Sequence, residues 1–191
     1  MTIDVGTGDG RAVLDAAARE PTALVLGLDA SAAAMVESSR RAAGPARKGG
    51  RPNARFVLAA AENPPAVLAG AADLVTVRFP WGSLLRGCVG LEPAVASGVA
   101  GLVAGRGTLE LLLAPSARDG LEGVPTEVDA IVAAAGAAFE PLGFEVIVGR
   151  TATREAVAAS GSSWAKRLAA GRNGDAGRAV ALVRLVRRAG R

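Results

Sequence analysis

The stretch Ile3-Asp4-Val5-Gly6-Thr7-Gly8-Asp9-Gly10 decides the fold of this 191-residue chain. A helix-like run follows it, and the next apolar run ends at a second acid, Asp29. Three glycines in five residues let the backbone turn sharply and approach a ligand closely, because no Cβ atom stands in the way. Acids placed before the loop and about twenty residues later can accept hydrogen bonds from a nucleoside. The pattern predicts a doubly wound α/β domain with a nucleoside cofactor at the carboxyl ends of its strands.

The spacing of the glycines narrows the choice of cofactor. The dinucleotide fingerprint needs a third small residue where this chain has Arg11, and no Gly-Lys-Ser/Thr of a phosphate-binding loop occurs. The remaining pattern, acid-x-Gly-x-Gly-x-Gly, resembles motif I of the class I S-adenosylmethionine (SAM) methyltransferases. That resemblance implies that the loop wraps the amino-acid end of SAM and that Asp29 binds the ribose hydroxyls. The alternative is an ordinary glycine turn between a strand and a helix.

Composition excludes several classes of chemistry. The chain has no histidine, which rules out Ser-His-Asp, Cys-His and histidine-ligated metal mechanisms. Its single cysteine, Cys88, can form neither an internal disulfide nor a cysteine zinc cluster, as in a reducing compartment. The longest uncharged run, Pro93 to Gly105, is too short and too rich in glycine to span a bilayer. With no signal-peptide pattern before the glycine loop, we expect a soluble, cytoplasmic protein without a metal and without a membrane partner.

Charge is distributed unevenly along the chain. The net charge is +4, yet residues 40–55 contain six basic residues and no acid, and residues 146–191 contain ten basic residues and two acids. Two basic segments on an otherwise acidic body indicate a highly negative partner, most commonly nucleic acid. Ordinary solvated surface arginine is the alternative.

Strand-like and helix-like segments alternate along the whole chain, which predicts a mainly parallel sheet covered on both faces. We expect one domain over residues 1–191, with irregular basic insertions at 44–53 and 151–175. A long helix, a Gly-Phe turn and two final strands resemble the ending of class I methyltransferases, which implies a seven-stranded Rossmann-like sheet with an antiparallel last strand. The predicted strands are Thr2–Val5, Ala23–Leu28, Ala54–Leu58, Leu74–Arg78, Gly107–Leu113, Phe144–Val148 and Arg178–Val186, and the predicted helices are Gly10–Arg19, Ser31–Ala43, Pro93–Ala104 and Thr126–Pro141.

The chain has two tryptophans, Trp81 and Trp164, and both are predicted in loops at the ends of elements. Trp81 follows the fourth strand, at the sheet edge where a substrate would meet the cofactor. In a chain with only 3% aromatic residues, the pair indicates a sandwich for a planar base, with Lys166 and Arg167 beside it for phosphates. Each tryptophan could instead be a packing anchor beneath its loop.

Five segments occur in the order typical of one family. They read Asp-x-Gly-Thr-Gly-Asp-Gly, Lys-Gly-Gly-x-x-Asn, Ala-Ala-Glu, Phe-Pro-Trp-Gly-Ser-Leu-Leu and Ser-x-Trp-Ala-Lys-Arg-Leu, at Asp4–Gly10, Lys48–Asn53, Ala60–Glu62, Phe79–Leu85 and Ser162–Leu168. This pattern resembles the 16S rRNA (adenine-N1) methyltransferases of the kanamycin–apramycin resistance type, over nearly the whole chain. Arg78 departs from it, since we expect an apolar residue directly before Phe-Pro-Trp.

The resemblance implies methyl transfer from SAM to N1 of an adenine, flipped out of the decoding centre of 16S rRNA in the assembled small ribosomal subunit. The product would be S-adenosylhomocysteine, and methylation would block aminoglycoside binding. Stacking on the adenine is implied for Trp81 and Trp164. The implied SAM-site residues are Asp4, Gly6, Gly8, Asp29, Ala61, Glu62, Ser83 and Ser162, and those facing rRNA phosphates are Arg47, Lys48, Arg51, Lys166, Arg167 and Arg172.

Two other functions remain open from the sequence. A small-molecule methyltransferase would share the glycine loop and Asp29, although it would need neither basic segment. A SAM- or RNA-binding module without turnover would share all of these features. We expect no protein partner.

Overall fold

The computed structural model describes residues 1–169 and 178–189, with only the backbone described at 167–169. The strands are β1 (Thr2–Val5), β2 (Val25–Asp29), β3 (Ala54–Leu58), β4 (Ala72–Arg78), β5 (Val103–Leu113), β6 (Phe144–Thr151) and β7 (Ala181–Arg187). The α-helices are α1 (Arg11–Arg19), α2 (Ala32–Ala42), α3 (Gly82–Cys88), α4 (Pro93–Leu102), α5 (Val128–Phe139), α6 (Arg154–Ala159) and α7 (Ser163–Ala169).

All seven strands form one sheet, in the order β3-β2-β1-β4-β5-β7-β6. The first five strands in chain order run parallel, and β7 lies antiparallel between β5 and β6. The strand order reverses at β1 and β4, and in doubly wound sheets the ligand crevice lies at such a reversal, beyond the carboxyl ends of the strands. Asp4 of β1 and Thr76 of β4 are register partners at that point.

Apolar residues cover both faces of the sheet. On one face, α3, α4 and α5 pack through buried residues such as Leu85, Val99 and Phe139 against the central strands. On the other face, Val13 and Leu14 of α1 pack toward β2 and β3. Burying apolar side chains on both faces contributes roughly 25 cal/mol per Å² removed from water. The rigid sheet therefore fixes where the strand ends, and the loops that follow them, are placed.

The predicted fold class is confirmed, including the antiparallel last strand. The prediction for β5 was wrong at its start, because the strand begins at Val103, directly after α4. Val103 pairs with Ala72 before an irregularity in the pairing with β4. Arg106 has a left-handed φ of 64° there, and a Cβ at Gly107 would lie 2.9 Å from the Ala72 carbonyl oxygen. The predicted strand therefore included only the part of β5 that follows this bulge.

Two further differences concern helices. The segment that follows Trp81 forms α3, for which the sequence analysis made no prediction. The insertion predicted at 151–175 is not irregular throughout, since Thr151 ends β6 and the segment then forms α6 and α7. Thr153 caps α6 by accepting a hydrogen bond from the Ala156 N–H, a local signal that favours a helix start. Among the described helices, none is long and apolar enough to cross a membrane.

Candidate functional site

The glycine loop joins β1 to α1 with three left-handed residues. The φ angles of Gly6, Gly8 and Gly10 are 71°, 56° and 70°, where residues with a Cβ are strained. At Gly6 a Cβ would also lie 2.4 Å from Cδ2 of Leu84, so the leucine side chain would have to move. The N–H groups of Gly6 and Thr7 both donate to the Leu28 carbonyl oxygen, at 2.8 and 3.2 Å. The loop is therefore held against the end of β2.

Asp29 ends β2 and fixes the loop from the other side. Its Oδ2 accepts the Gly8 N–H at 2.8 Å, and its Oδ1 accepts the Ser31 N–H at 2.8 Å. The carboxylate thus holds two backbone segments in place with charge-assisted hydrogen bonds, while its remaining lone pairs stay available for a ligand. The Asp29 side chain is half-exposed, so a ligand can reach its carboxylate, which can accept hydrogen bonds from two hydroxyls.

Asp4 lies deeper, at the switch point of the sheet. It is 3% exposed, and its Oδ1 accepts hydrogen bonds from the Thr76 hydroxyl at 2.6 Å and from Nη1 of Arg78 at 2.7 Å. A buried carboxylate of this kind needs a charged or hydrogen-bonding partner, because the interior solvates charge poorly. Arg78 supplies that partner from the last position of β4.

Two adjoining cavities lie at the carboxyl edge of the sheet. The first, here the Asp29 cavity, has a volume of about 360 Å³. It brings together six of the predicted residues: Gly6, Asp29, Ala61, Glu62, Trp81 and Ser83. Its size and mixed polar and apolar walls are those of a small-molecule site.

The second cavity, here the Asp4 cavity, measures about 320 Å³ and lies on the other side of Gly6 and Phe79, which line both. Its walls include the predicted residues Asp4, Gly6, Gly8, Ser162 and Trp164. All eight residues predicted for cofactor binding therefore lie in the walls of these two cavities. Their role in binding stays a prediction.

The two tryptophans are placed differently. Trp81 precedes α3 and is 62% exposed at the mouth of the Asp29 cavity. The prediction of Trp164 in a loop was wrong, because it lies in the first turn of α7, where its N–H donates to Ser162 Oγ at 3.1 Å. Its half-buried ring stacks on Phe79, with centroids 5.2 Å apart, and the Arg178 guanidinium lies 5.4 Å from the ring centroid.

Phe79 links the two cavities and adopts a strained backbone. Its φ of 51° is left-handed, which is uncommon for a bulky residue. The conformation is held by a 2.8 Å hydrogen bond from its N–H to the Leu112 carbonyl oxygen. Strain of this kind persists where the surrounding structure imposes it, commonly at ligand sites. Phe79 turns the chain between β4 and Trp81 while its ring supports Trp164.

The predicted phosphate-binding residues fall into separate places. Arg47 and Lys48 are exposed in a short 3₁₀ turn, and Arg51 donates from Nη1 to the Gly50 carbonyl oxygen. Lys166 is exposed and lines a third cavity, here the Lys166 cavity, of about 210 Å³. The side chain of Arg167 and the whole of Arg172 lie outside the described residues.

Sequence reasoning missed the residues that surround these predicted positions. Arg11 and Arg41 line the Lys166 cavity together with Asp15 and Leu14. Arg41 was visible only as part of a basic run, whereas Arg11 was interpreted as a misfit in a dinucleotide fingerprint. Arg11, Arg41 and Lys166 come from three different helices, so no local sequence pattern predicts that they meet.

Alternative chemistry at this site would need a reactive thiol or a cluster of metal-binding side chains. Burial raises the pKa of the Cys88 thiol to about 12, and Cys88, the last residue of α3, faces the core and lines neither cavity. Throughout residues 1–169 and 178–189, no three side chains of His, Cys, Asp or Glu gather as metal ligands. The polar groups that converge on the cavities are instead backbone N–H groups, hydroxyls, carboxylates and guanidinium.

Comparison with known proteins gives a consistent result. The family model described as NpmA, 16S rRNA (adenine(1408)-N(1))-methyltransferase, matches residues 1–183. A protein from Streptoalloteichus hindustanus, named 16S rRNA (adenine(1408)-N(1))-methyltransferase, is 35% identical over 183 residues, covering 91% of this chain and 82% of its own length.

Solved structures agree with that result. The 16S rRNA methyltransferase KamB superposes with a TM-score of 0.84 at 30% identity, covering 98% of this chain and 87% of its own. A variant of the 16S rRNA (adenine(1408)-N(1))-methyltransferase from Catenulisporales acidiphilia, solved with the cosubstrate SAM, also gives 0.84, at 32% identity, covering 100% of this chain and 86% of its own.

Proposed function

This chain belongs to the 16S rRNA (adenine(1408)-N(1))-methyltransferase family, and on that premise we propose that it methylates N1 of an adenine of 16S rRNA with SAM. The observation that carries the proposal is the convergence of all eight family-implied SAM residues on two adjoining cavities. The proposed biological outcome is aminoglycoside resistance, and the proposed substrate is the assembled small subunit.

The reaction suits the groups that the chain offers. N1 of adenine carries a lone pair and no proton, so its attack on the methyl group of a sulfonium needs no general base. Methylation forms one N–C bond and breaks one S–C bond, which releases S-adenosylhomocysteine and leaves the positive charge on the adenine. Catalysis then depends on holding N1 in line with the methyl group, by proximity and orientation. A chain without histidine can perform such chemistry.

The two halves of SAM would occupy different cavities. The adenosine half would occupy the Asp29 cavity, where the Asp29 carboxylate can accept hydrogen bonds from the ribose hydroxyls. The amino-acid half would extend past Gly6 into the Asp4 cavity. The absence of a Cβ at Gly6 leaves the backbone between the cavities open to close approach. The methyl group would then face outward near Phe79, which lines both cavities.

An adenine that leaves the rRNA helix would meet Trp81 first. Its ring is 62% exposed and lies directly at the cavity mouth, so that one face can stack on a base. Stacking of a base on an aromatic side chain contributes roughly 1–3 kcal/mol. Trp164 is already stacked on Phe79, and we propose that it forms the opposite wall of the base site as a pre-positioned ring.

Phosphate contacts would surround this base site. The Lys166 cavity places Arg11, Arg41 and Lys166 around one concave surface, which unites residues from both basic segments with the first residue of α1. Asp9 ties this surface to the cofactor site, because its carboxylate accepts the Ser163 hydroxyl at 2.6 Å. Cations held in a concave surface attract phosphate without reading sequence, so they would dock the protein on the subunit.

Primer extension tests the reaction, the substrate and the position together. Assembled small subunits treated with the protein and SAM should give a stop at adenine 1408, and omission of SAM should remove it. Protein-free 16S rRNA, treated in parallel, should give at most a tenth of that modification. A protein that binds SAM but gives no stop on subunits would refute the proposed function. Equal modification of free 16S rRNA would refute only the assignment to the assembled subunit.

A further inference from the structure

An arginine occupies an unusual place at the end of β4. Val75, Thr76 and Val77, the residues that precede Arg78, are each 0% exposed, and the side chain of Arg78 itself is only 13% exposed. Burying a guanidinium is costly unless it is paired. Its pairing with Asp4 relieves that cost only in part, because both charges are removed from water. The pair therefore needs a functional explanation as well as a structural one.

The Asp4–Arg78 pair is incompletely satisfied. Across the described part of the chain, the Arg78 guanidinium makes its hydrogen bond through Nη1, and its buried Nε has no partner. The buried hydroxyl of Thr7, in the glycine loop, also has no partner among these residues. Both residues line the Asp4 cavity. Two unsatisfied donors in the walls of one cavity are unusual, because buried polar groups are nearly always hydrogen-bonded.

The charges in this cavity match those of an α-amino acid. A free amino acid carries an ammonium and a carboxylate on one carbon, and the cavity presents a carboxylate and a guanidinium 2.7 Å apart. Both Oδ1 hydrogen bonds of Asp4 come from protein groups, which leaves Oδ2 for an ammonium. The planar guanidinium suits a carboxylate, which it binds through two parallel hydrogen bonds.

We propose that Arg78 binds the carboxylate of the methionine moiety of SAM, while Asp4 binds its ammonium group. This assignment rests on the proposed function only for the identity of the cofactor. It makes Arg78 a specificity residue, since it favours ligands that retain the amino-acid end over nucleosides that lack it. Loss of one partner of a hydrogen-bonded charge pair weakens binding strongly.

Two thioethers test the contact between Arg78 and the carboxylate of the ligand. S-adenosylhomocysteine and 5′-methylthioadenosine share the adenosine, and only the former carries the amino-acid end. Calorimetric titration of Arg78→Leu should show at least a tenfold loss of affinity for S-adenosylhomocysteine, and at most a threefold change for 5′-methylthioadenosine. Arg78→Lys keeps the positive charge but loses the planar guanidinium. Its affinity for S-adenosylhomocysteine should lie between those of the native protein and Arg78→Leu. Arg19→Leu removes an exposed arginine at the far end of α1 and serves as the matched control, with both affinities unchanged.

The outcomes separate this inference from its alternatives. An equal loss of affinity for both thioethers would overturn it, because Arg78 would then only support the fold of the site. Unchanged or higher affinity for S-adenosylhomocysteine would also overturn it and identify Arg78 as a competitor for Asp4. A native protein that binds S-adenosylhomocysteine and fails in the primer-extension test would refute the proposed function and leave the Arg78 assignment standing. A native protein that binds neither thioether would refute both.

Discussion

Substitution of Gly98 by alanine sets two opposing effects against each other in α4. Alanine is favoured over glycine inside a helix by up to about 1 kcal/mol. However, a Cβ at this position would lie 2.0 Å from the Ala61 carbonyl oxygen and 3.1 Å from the Glu62 carbonyl carbon. Both are backbone atoms, so no side-chain rotation relieves the clash. Overpacking of this kind costs typically about 1–3 kcal/mol, and we expect the clash to outweigh the helix propensity.

The expected net effect of Gly98→Ala is a loss of about 1–2 kcal/mol in the free energy of unfolding. For a chain of this size, that loss corresponds to a fall of roughly 2–8 °C in the melting temperature. Ala61 and Glu62 line the Asp29 cavity, so the displaced backbone should also weaken SAM binding. Urea unfolding and calorimetric titration measure the two effects independently.

Gly101→Ala is the matched control in the same helix. A Cβ at Gly101 meets nothing within 4 Å, so only the propensity acts and the free energy of unfolding should rise, by up to about 1 kcal/mol. SAM affinity should not change. If Gly98→Ala is as stable as Gly101→Ala and binds SAM equally well, the close packing of α4 against the backbone of Ala61 and Glu62 is refuted.

Three more outcomes are expected. Trp81→Ala should reduce the rate of methyl transfer at least tenfold and leave SAM affinity unchanged, because misalignment of the base lowers the rate of transfer more than the affinity for RNA. Trp81→Phe should keep more activity than Trp81→Leu. Equal activity of the two variants would show that the ring only packs. Lys166→Glu should weaken binding to small subunits and flatten its salt dependence while leaving SAM affinity intact, and Arg19→Glu should do neither. Burial raises the pKa of Cys88 from 9.0 to about 12, so the folded protein should react slowly with thiol reagents at pH 8, as labelling rates will check. The free energy of unfolding should fall as the pH rises from 9 toward 12, because the thiol of the unfolded chain then loses its proton and that of the folded protein does not; unfolding curves will check this.

Much of the site could be predicted because its chemistry is local in sequence. Asp29 ends a strand of the parallel sheet, and the glycine loop and Ala60–Glu62 come just after two others. Parallel strands bring their carboxyl ends to one edge. Predicting the alternation of strands and helices was therefore enough to predict that the glycine loop and Asp29 meet, whereas Ala61 and Glu62 were implied by the family resemblance. The family predicted from the five ordered motifs is confirmed by the match over residues 1–183.

The features that could not be predicted depend on contacts between distant segments. The pairing of Arg78 with Asp4 requires the register of β1 against β4, which the sequence pattern does not encode. The stacking of Trp164 on Phe79 needs α7 to return over the end of β4, from a segment that was predicted to be irregular. In both cases the local pattern showed an unusual residue, a charge in an apolar strand or a rare aromatic, without showing its partner.

The place of β7 in the sheet has a consequence for the order of synthesis. Along the described chain, β6 joins the sheet only through β7, and β5 keeps one edge unpaired until β7 arrives. Unpaired edges of this kind invite association with other chains. Ser162 and Trp164 lie on the connection between β6 and β7, and both line the Asp4 cavity. We expect this part of the cavity wall to be held in place only once β7 has joined the sheet. The Asp4 cavity should therefore be among the last parts of the fold to form.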